Sequence, residues 1–173
     1  MLQEAKASDL VILLEEPLLY QWLQFRCDTI TAYVRELSEA IHAIRPDIDF
    51  RWNVTVRDSE RSGLNIKAVA PYIDSFRLQD YAEQYGEMEA VKNKKLWLAN
   101  ARRQLGWDKP IIGGIAPRAE ATPELIYEGV RVNAKMGVQG LSYGFYDGAS
   151  YDNLRAIRKG MEMAGVSLKP FHK

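Results

Sequence analysis

Apolar and polar positions follow two different rhythms along this chain, and the rhythm switches at intervals that a strand-helix repeat produces. From Trp22 onward, Leu23, Ile30, Tyr33, Val34, Leu37, Ile41 and Ile44 recur at the spacing of one helix face. The wider stretch Leu2 to Ile44 is helical in character, with Pro17 expected to interrupt it and Pro46 to stop it, because proline lacks a backbone donor and disfavours helix just before itself. Asp49 to Val56 then alternates with period two, as a strand does. A charged loop containing Gly63 leads to a short helix at about Asn65 to Pro71, and Ile73 to Tyr81 is the second strand. Met88 to Leu105 reads as one helix with Gly106 as its left-handed C-terminal cap, and Pro110 to Pro117 as the third strand. Thr122-Pro123-Glu124 is a helix start, with a hydroxyl cap, proline at the first helical position and an acid near the positive end of the dipole. That helix ends at Gly137, Val138 to Tyr146 is the fourth strand, and Ser150 caps a last helix that closes before Gly165.

Strands separated by helices of this length imply right-handed crossovers and a parallel sheet. Residue parity then separates an open doubly wound sheet from part of a closed barrel. Arg51, Asn53, Ser75, Arg77 and Gln79 fall on one face, while Phe50, Trp52, Val54, Phe76 and Leu78 fall on the other. Central strands of a doubly wound sheet are apolar on both faces; strands that line a barrel beneath an active site have one polar face. The expected fold is therefore α/β, a partial TIM (β/α)8 barrel of about four parallel strands with helices. With 173 residues the chain is short of the roughly 250 that a whole barrel takes. It is read as a single domain over residues 1–173, with a helical lead-in at 1–46 and four βα units over 47–165.

Composition narrows the function classes. Lys plus Arg and Asp plus Glu are 23 each, so the net charge is zero and no global field favours nucleic acid or an anionic membrane. Cys27 is the single cysteine, which excludes an internal disulfide and a multi-cysteine zinc site, and it is expected to be a core or helix-surface thiol. His42 and His172 lack the company that a metal site or a triad needs, so neither metal nor cofactor is expected. The first residues lack a signal-peptide pattern, and runs such as Leu10 to Leu14 are too short to span a bilayer. As it stands the sequence reads as cytoplasmic, with secretion the alternative if a signal lay upstream.

Several segments resemble glycoside-hydrolase-like (β/α)8 proteins. Trp22-Leu-Gln-Phe-Arg26 with Ile30-Thr-Ala-Tyr33, then Ala40-Ile-His-Ala-Ile-Arg-Pro46 and Phe50-Arg-Trp-Asn53, is similar to the helix leading into the fifth strand of such barrels. Asp74-Ser-Phe-Arg-Leu-Gln-Asp-Tyr81, Ala121-Thr-Pro-Glu-Leu-Ile126 and Gly140-Leu-Ser-Tyr-Gly-Phe-Tyr-Asp147 look like the later strands and the seventh helix. The resemblance implies the C-terminal half of the barrel, a carbohydrate ligand, and catalytic carboxylates after the fourth and seventh strands. The fourth strand would precede residue 1, so the usual acid/base would not come from these residues.

Ligand groups in such barrels sit at strand ends and in the loops that follow. After the first strand come Arg51, Asn53 and Arg57: Arg51 and Asn53 are expected to hold substrate hydroxyls or orient a carboxylate, or else the three serve as interior hydrogen bonding and a loop cation. After the second come Asp80, Tyr81 and Glu83 with Arg77 behind, a setting in which Asp80 stays ionised and suits a nucleophile, or else a structural Arg-Asp pair. After the third come Arg118 and Glu120, the latter where a retaining enzyme carries its nucleophile, or else an acid at a helix start. After the fourth come Tyr146 and Asp147, a stacking platform and a hydroxyl acceptor, or else an Asp-Gly turn. Asp80 and Glu120 are thus the catalytic candidates, and Arg51, Asn53, Arg77, Tyr81, Arg118, Tyr146 and Asp147 the binding candidates. Tyr143 and Phe145 are expected to pack under helices, as are Trp97 and Trp107 in the core. Glu15-Glu16 reads as a surface helix end, and Gly113-Gly114 lacks the Lys-Ser/Thr pair of a phosphate loop.

Two rival readings remain. Exposed sheet edges are pairing templates, so the chain could instead be a non-catalytic half-barrel that acts as an assembly module, as a homodimer or with a complementary N-terminal half. A barrel enzyme for phosphorylated metabolites would hold an anion near Gly148 to Ser150.

Overall fold

In a computed structural model, which describes residues 16–55 and 59–165, each period-two segment condenses into a short strand. β1 is Arg51–Val54, β2 Ser75–Leu78, β3 Ile111–Ile115 and β4 Gly140–Tyr143. Their ladders are parallel and the sheet order is β1-β2-β3-β4. Parallel neighbours need a crossover, and helices supply it. α1 is Pro17–Ile44, α2 Ile66–Val69, α3 Met88–Lys92, α4 Lys94–Leu105, α5 Pro123–Lys135 and α6 Tyr151–Met163. The fold is α/β and matches part of a TIM barrel, as the patterning predicts. The strands are four or five residues long rather than eight or nine, because only their middles join the ladder. Beyond them single bonds persist, such as Gln79 N–H to the Val54 carbonyl at 2.9 Å and Gly144 N–H to that of Ile115 at 2.9 Å.

Local chemistry corrects two element expectations. Pro17 itself stands at the first turn of α1, where its missing N–H would be unsatisfied anyway, and the helical stretch expected before it lies outside the described residues. The helix expected over Met88 to Leu105 divides at Asn93, where the ladder tightens: Leu96 N–H bonds the Asn93 carbonyl three residues back at 2.9 Å. Gly106 has φ +79° but ψ −176°, a glycine conformation that is not the left-handed helical cap. The caps read from the sequence form, Thr122 accepting from Leu125 N–H at 3.4 Å and Ser150 from Asn153 N–H at 3.1 Å.

The described chain falls into two compact units. One holds α1 and residues 59–73, including α2. Its buried side chains include Cys27, Val34, Leu64, Ile66, Val69 and Ile73. The Cys27 thiol faces the Glu60 carbonyl at 3.8 Å, and burial raises its pKa. His42 lies between Ser38 Oγ and the Ile48 carbonyl, each at 3.3 Å, so its ring is a helix-end tie.

The other unit holds the four strands with α3 to α6. One face of its sheet is apolar: Val54, Phe76, Leu78, Ile111 and Ile115 are almost fully buried. Ile115 joins Ile126 and Val130 of α5 and Ala156 and Ile157 of α6 in one cluster, with Leu141 and Tyr143 packed against it. Burying side chains of this size contributes about 1.5–3 kcal/mol each. Tyr143 is thus under helices, as expected, with its hydroxyl 2.9 Å from the Met161 sulfur and its pKa raised by burial. At the strand starts Arg102 gathers the carbonyls of Gly106, Lys109 and Gly137 at 2.8–3.1 Å, tying two loops together. Trp107 is 77% exposed rather than buried, with the Arg102 guanidinium 5.0 Å from its ring.

Candidate functional site at the strand ends

The opposite sheet face is polar, and its register sets which residues meet. Arg51 pairs with Ser75 and Asn53 with Arg77, while Ile112 and Gly140 continue the second row. Arg51 opens β1, so it lies at the end of the strand opposite to the one where the βα loops begin. There its Nε donates to Ser75 Oγ at 2.9 Å and its guanidinium pairs with Asp49, while Ser75 donates to Asp49 at 2.7 Å. The Ser75 bond first, and Arg51 second, hold the Asp49 carboxyl below its ordinary value against the opposing effect of burial. The expected position of Arg51 after the first strand is therefore corrected to a position before it.

Arg77 has a different outlook. Its side chain reaches across β3 to β4, where Nε donates to Ser142 Oγ at 2.6 Å. The same guanidinium donates to the Tyr81 hydroxyl at 2.9 Å. The Tyr81 ring lies over two glycines: a Cβ on either Gly114 or Gly144 would come within 3.0 Å of its Cε1. At Gly114 the added Cβ would also fall 2.8 Å from the Leu78 carbonyl oxygen, which gives this glycine its physical role. Gly113 faces the helices, where a Cβ would fall 1.8 Å from Asn133 Oδ1.

Tyr81 meets Phe145 edge to face, with ring centroids 5.7 Å apart. Arg118 completes the cluster, its guanidinium 3.3 Å from the Phe145 ring centroid, and it also donates to Gln84 at 3.5 Å. Phe145 was expected under the helices; instead its φ of +60° turns the chain after β4 and swings the ring to the strand ends. Period two cannot foresee this, because parity ends where the backbone leaves the extended region. Arg77, Tyr81 and Arg118 are thus brought together around an unpredicted aromatic residue.

The loop after β3 is held from below. Asn153, buried on α6, donates to the carbonyls of Pro117 at 3.1 Å and Ala121 at 2.9 Å. Between them Ala119 has φ +55°, a strained conformation for a residue with a side chain. Strain of this kind concentrates at ligand sites. Glu120 is exposed and backs onto Gly86, whose added Cβ would lie 3.1 Å from its own. Asn53 is exposed on β1, and Tyr146 and Asp147 enter a 3-10 turn, with Asp147 exposed. Arg57, Glu15 and His172 lie outside the described residues, as does the side chain of Tyr146.

The carboxylates after β2 part company. Glu83, fully buried, turns inward to Lys94, itself 1% exposed, at 2.5 Å. Its other oxygen accepts from Ala116 N–H at 3.2 Å, and Lys94 also donates to the Gly114 carbonyl at 2.7 Å. Burial raises the Glu83 pKa while Lys94 pulls against that rise. Glu83 is therefore a structural tie rather than part of a carboxylate cluster. Asp80 lines a cavity of about 210 Å³ with Tyr81, Gln84, Tyr85 and Trp97. Sequence reasoning missed Lys94, although a signal was present: Lys94, Leu98, Ala101 and Leu105 share one helix face and all are buried. Among the described residues no group of three His, Cys, Asp or Glu could hold a metal, and no helix is long and apolar enough to cross a membrane.

No family model matches the sequence, and no curated protein matches it. Among solved structures the chain is similar to the PgaB (BpsB) glycoside hydrolase domain from Bordetella bronchiseptica, with a TM-score of 0.62 and 15% identity over 92% of this chain. The chain spans about half, 48%, of that domain's chain. The likeness extends to the fold, which is glycoside-hydrolase-like.

Proposed function

We propose that the strand-end face binds carbohydrate, in a glycoside-hydrolase-like barrel of which this chain is the C-terminal half. The observation that carries the reading is the cluster of Tyr81, Phe145, Arg77 and Arg118 at the ends of successive strands. Sugars offer apolar faces to aromatic rings and hydroxyls to charged donors and acceptors, and this cluster supplies both. The PgaB domain's name, glycoside hydrolase, is consistent with it. In this reading Asn53, Arg77, Tyr81, Arg118, Tyr146 and Asp147 hold the sugar and Asp80 is the carboxylate beside it. Arg51 acts from the strand starts by fixing Asp49 and Ser75. Hydrolysis needs two carboxyl groups about 5–9.5 Å apart. Glu120 is the second candidate on this chain; otherwise the proton donor would come from a complementary N-terminal half. Titration of soluble oligosaccharides of several classes, followed by tyrosine and tryptophan fluorescence, should give saturable binding that Arg118→Ala weakens. A flat response to every class would refute the reading.

A second reading, a non-catalytic assembly module, draws on the sheet edges. Among the described residues β1 and β4 each have one neighbour, and the residues of β4 are only half-buried. Unpaired parallel edges recruit partners. Sedimentation should then report a homodimer or a complex with a complementary half, and a stable monomer would count against it.

A further inference from the structure

The cavity beside Asp80 has a size and lining that the strand-end cluster does not explain. Its volume of about 210 Å³ exceeds the ~150 Å³ that accommodates a benzene-sized ring and falls below the ~300 Å³ where drug-sized pockets begin. One six-membered ring with substituents is the matching ligand size. Tyr81, Tyr85 and Trp97 give the wall its aromatic surface, and Gln79, Asp80 and Gln84 its polar groups. Glutamine amides donate and accept, as sugar hydroxyls do, and a carboxylate accepts from hydroxyls. Lys94 also reaches the wall, but its charge is already engaged by Glu83 at 2.5 Å and the Gly114 carbonyl at 2.7 Å. The cavity therefore offers an anion no uncompensated lysine and sets a carboxylate against it. Gln84 accepts from Arg118 at 3.5 Å, and Tyr81 lines the cavity while also belonging to the cluster, so the two share a residue.

We infer that this cavity is a subsite for a single neutral sugar ring, with Tyr85 and Trp97 packing on the ring and Gln79, Asp80 and Gln84 bonding its hydroxyls. The inference rests on the carbohydrate reading and refines it: one ring enters the cavity, and the remainder of a longer saccharide continues past Tyr81 to Phe145.

Calorimetric titration of the full chain with methyl hexosides, methyl N-acetylhexosaminides and their oligomers, alongside methylammonium and inorganic phosphate, tests it. Removing one aromatic contact weakens binding roughly two- to twelvefold. That loss is expected for Trp97→Ala and for Tyr85→Ala, the latter 64% exposed and so removable without disturbing the fold. Phe145→Ala should weaken oligomers more than single sugars. Oligomer binding lost in Phe145→Ala yet unchanged in both cavity variants overturns the subsite and leaves the carbohydrate reading standing. No response to any sugar overturns both. Methylammonium or phosphate binding more tightly than every sugar overturns the neutral-ring assignment.

Discussion

Replacing Lys94 by methionine isolates the buried ion pair, and its cost can be worked from the surroundings of Glu83. In the native chain that carboxylate is met by Lys94 at 2.5 Å and Ala116 N–H at 3.2 Å, and it packs closely on Gly129, where a Cβ would come within 2.2 Å of Oε1. Lys94→Met removes the only one of these that carries charge. A carboxylate left alone in the interior protonates rather than bear the full burial cost. Protonating a group of ordinary pKa about 4.3 costs about 1.4 kcal/mol per pH unit, hence about 4 kcal/mol at pH 7 and about 1 kcal/mol at pH 5. Destabilisation should accordingly be about 3–5 kcal/mol at pH 7, the range for breaking a buried pair, and should shrink steadily on acidification. The sign follows from proton counting. Burial raises the Glu83 pKa in the folded chain, and loss of Lys94 raises it further, so the folded variant holds a proton that the unfolded chain has released. Stability is then fullest below the unfolded value and falls as pH rises toward the folded one. Urea denaturation followed by circular dichroism from pH 5 to pH 8 measures it. The double variant Glu83→Gln/Lys94→Met, with no charge left to bury, should recover most of the loss at pH 7. A destabilisation by Lys94→Met that is equal at pH 5 and pH 8, or a double variant no better than the single, would refute the reasoning.

Three further outcomes follow from the same geometry. Asn153→Ala strips donors from the Pro117 and Ala121 carbonyls and should cost about 1–3 kcal/mol in thermal or chemical denaturation, with faster hydrogen exchange in the loop that carries Arg118. Ala119→Gly relieves a φ of +55° and should raise stability by about 0.5–1 kcal/mol, visible as a higher Tm, since glycine accepts that conformation freely. The Arg131 guanidinium on α5 holds the Glu128 carboxyl below the usual range; this stabilisation is present above the ordinary carboxylate pKa and is lost as pH falls through the lowered one. With Arg131 40% exposed the pair contributes about 0.5–1 kcal/mol, so Glu128→Gln should lower stability at pH 7 by that amount and flatten the acid limb of the pH-stability curve.

Much of the scaffold was legible in one dimension because burial imposes a period. The alternation in Asp49 to Val56 and Ile73 to Tyr81 requires strands with one polar face, and the ladder sets Asn53 beside Arg77 as parity requires. Thr122 and Ser150 announce helix starts because capping is a contact between residues three apart. The candidate site was legible only in part. Arg77, Tyr81 and Arg118 could be named from their positions near strand ends, but what they touch depends on register across three strands and on the reach of a long side chain to Ser142, 65 positions away. Phe145 escaped because one left-handed residue reverses the side a ring faces, and no periodic pattern encodes it. Glu83 looked like a partner of Asp80 because both follow the same strand, and only the tertiary structure, by bringing Lys94 and Ala116 N–H to it, made it part of the interior. Sequence by itself settles the alternation of strands and helices and the side-chain caps at Thr122 and Ser150, since those demands are local and repeat with the backbone. Which polar groups meet is settled by the tertiary structure, because hydrogen bonds and ion pairs act over a few ångströms between residues that the chain keeps far apart.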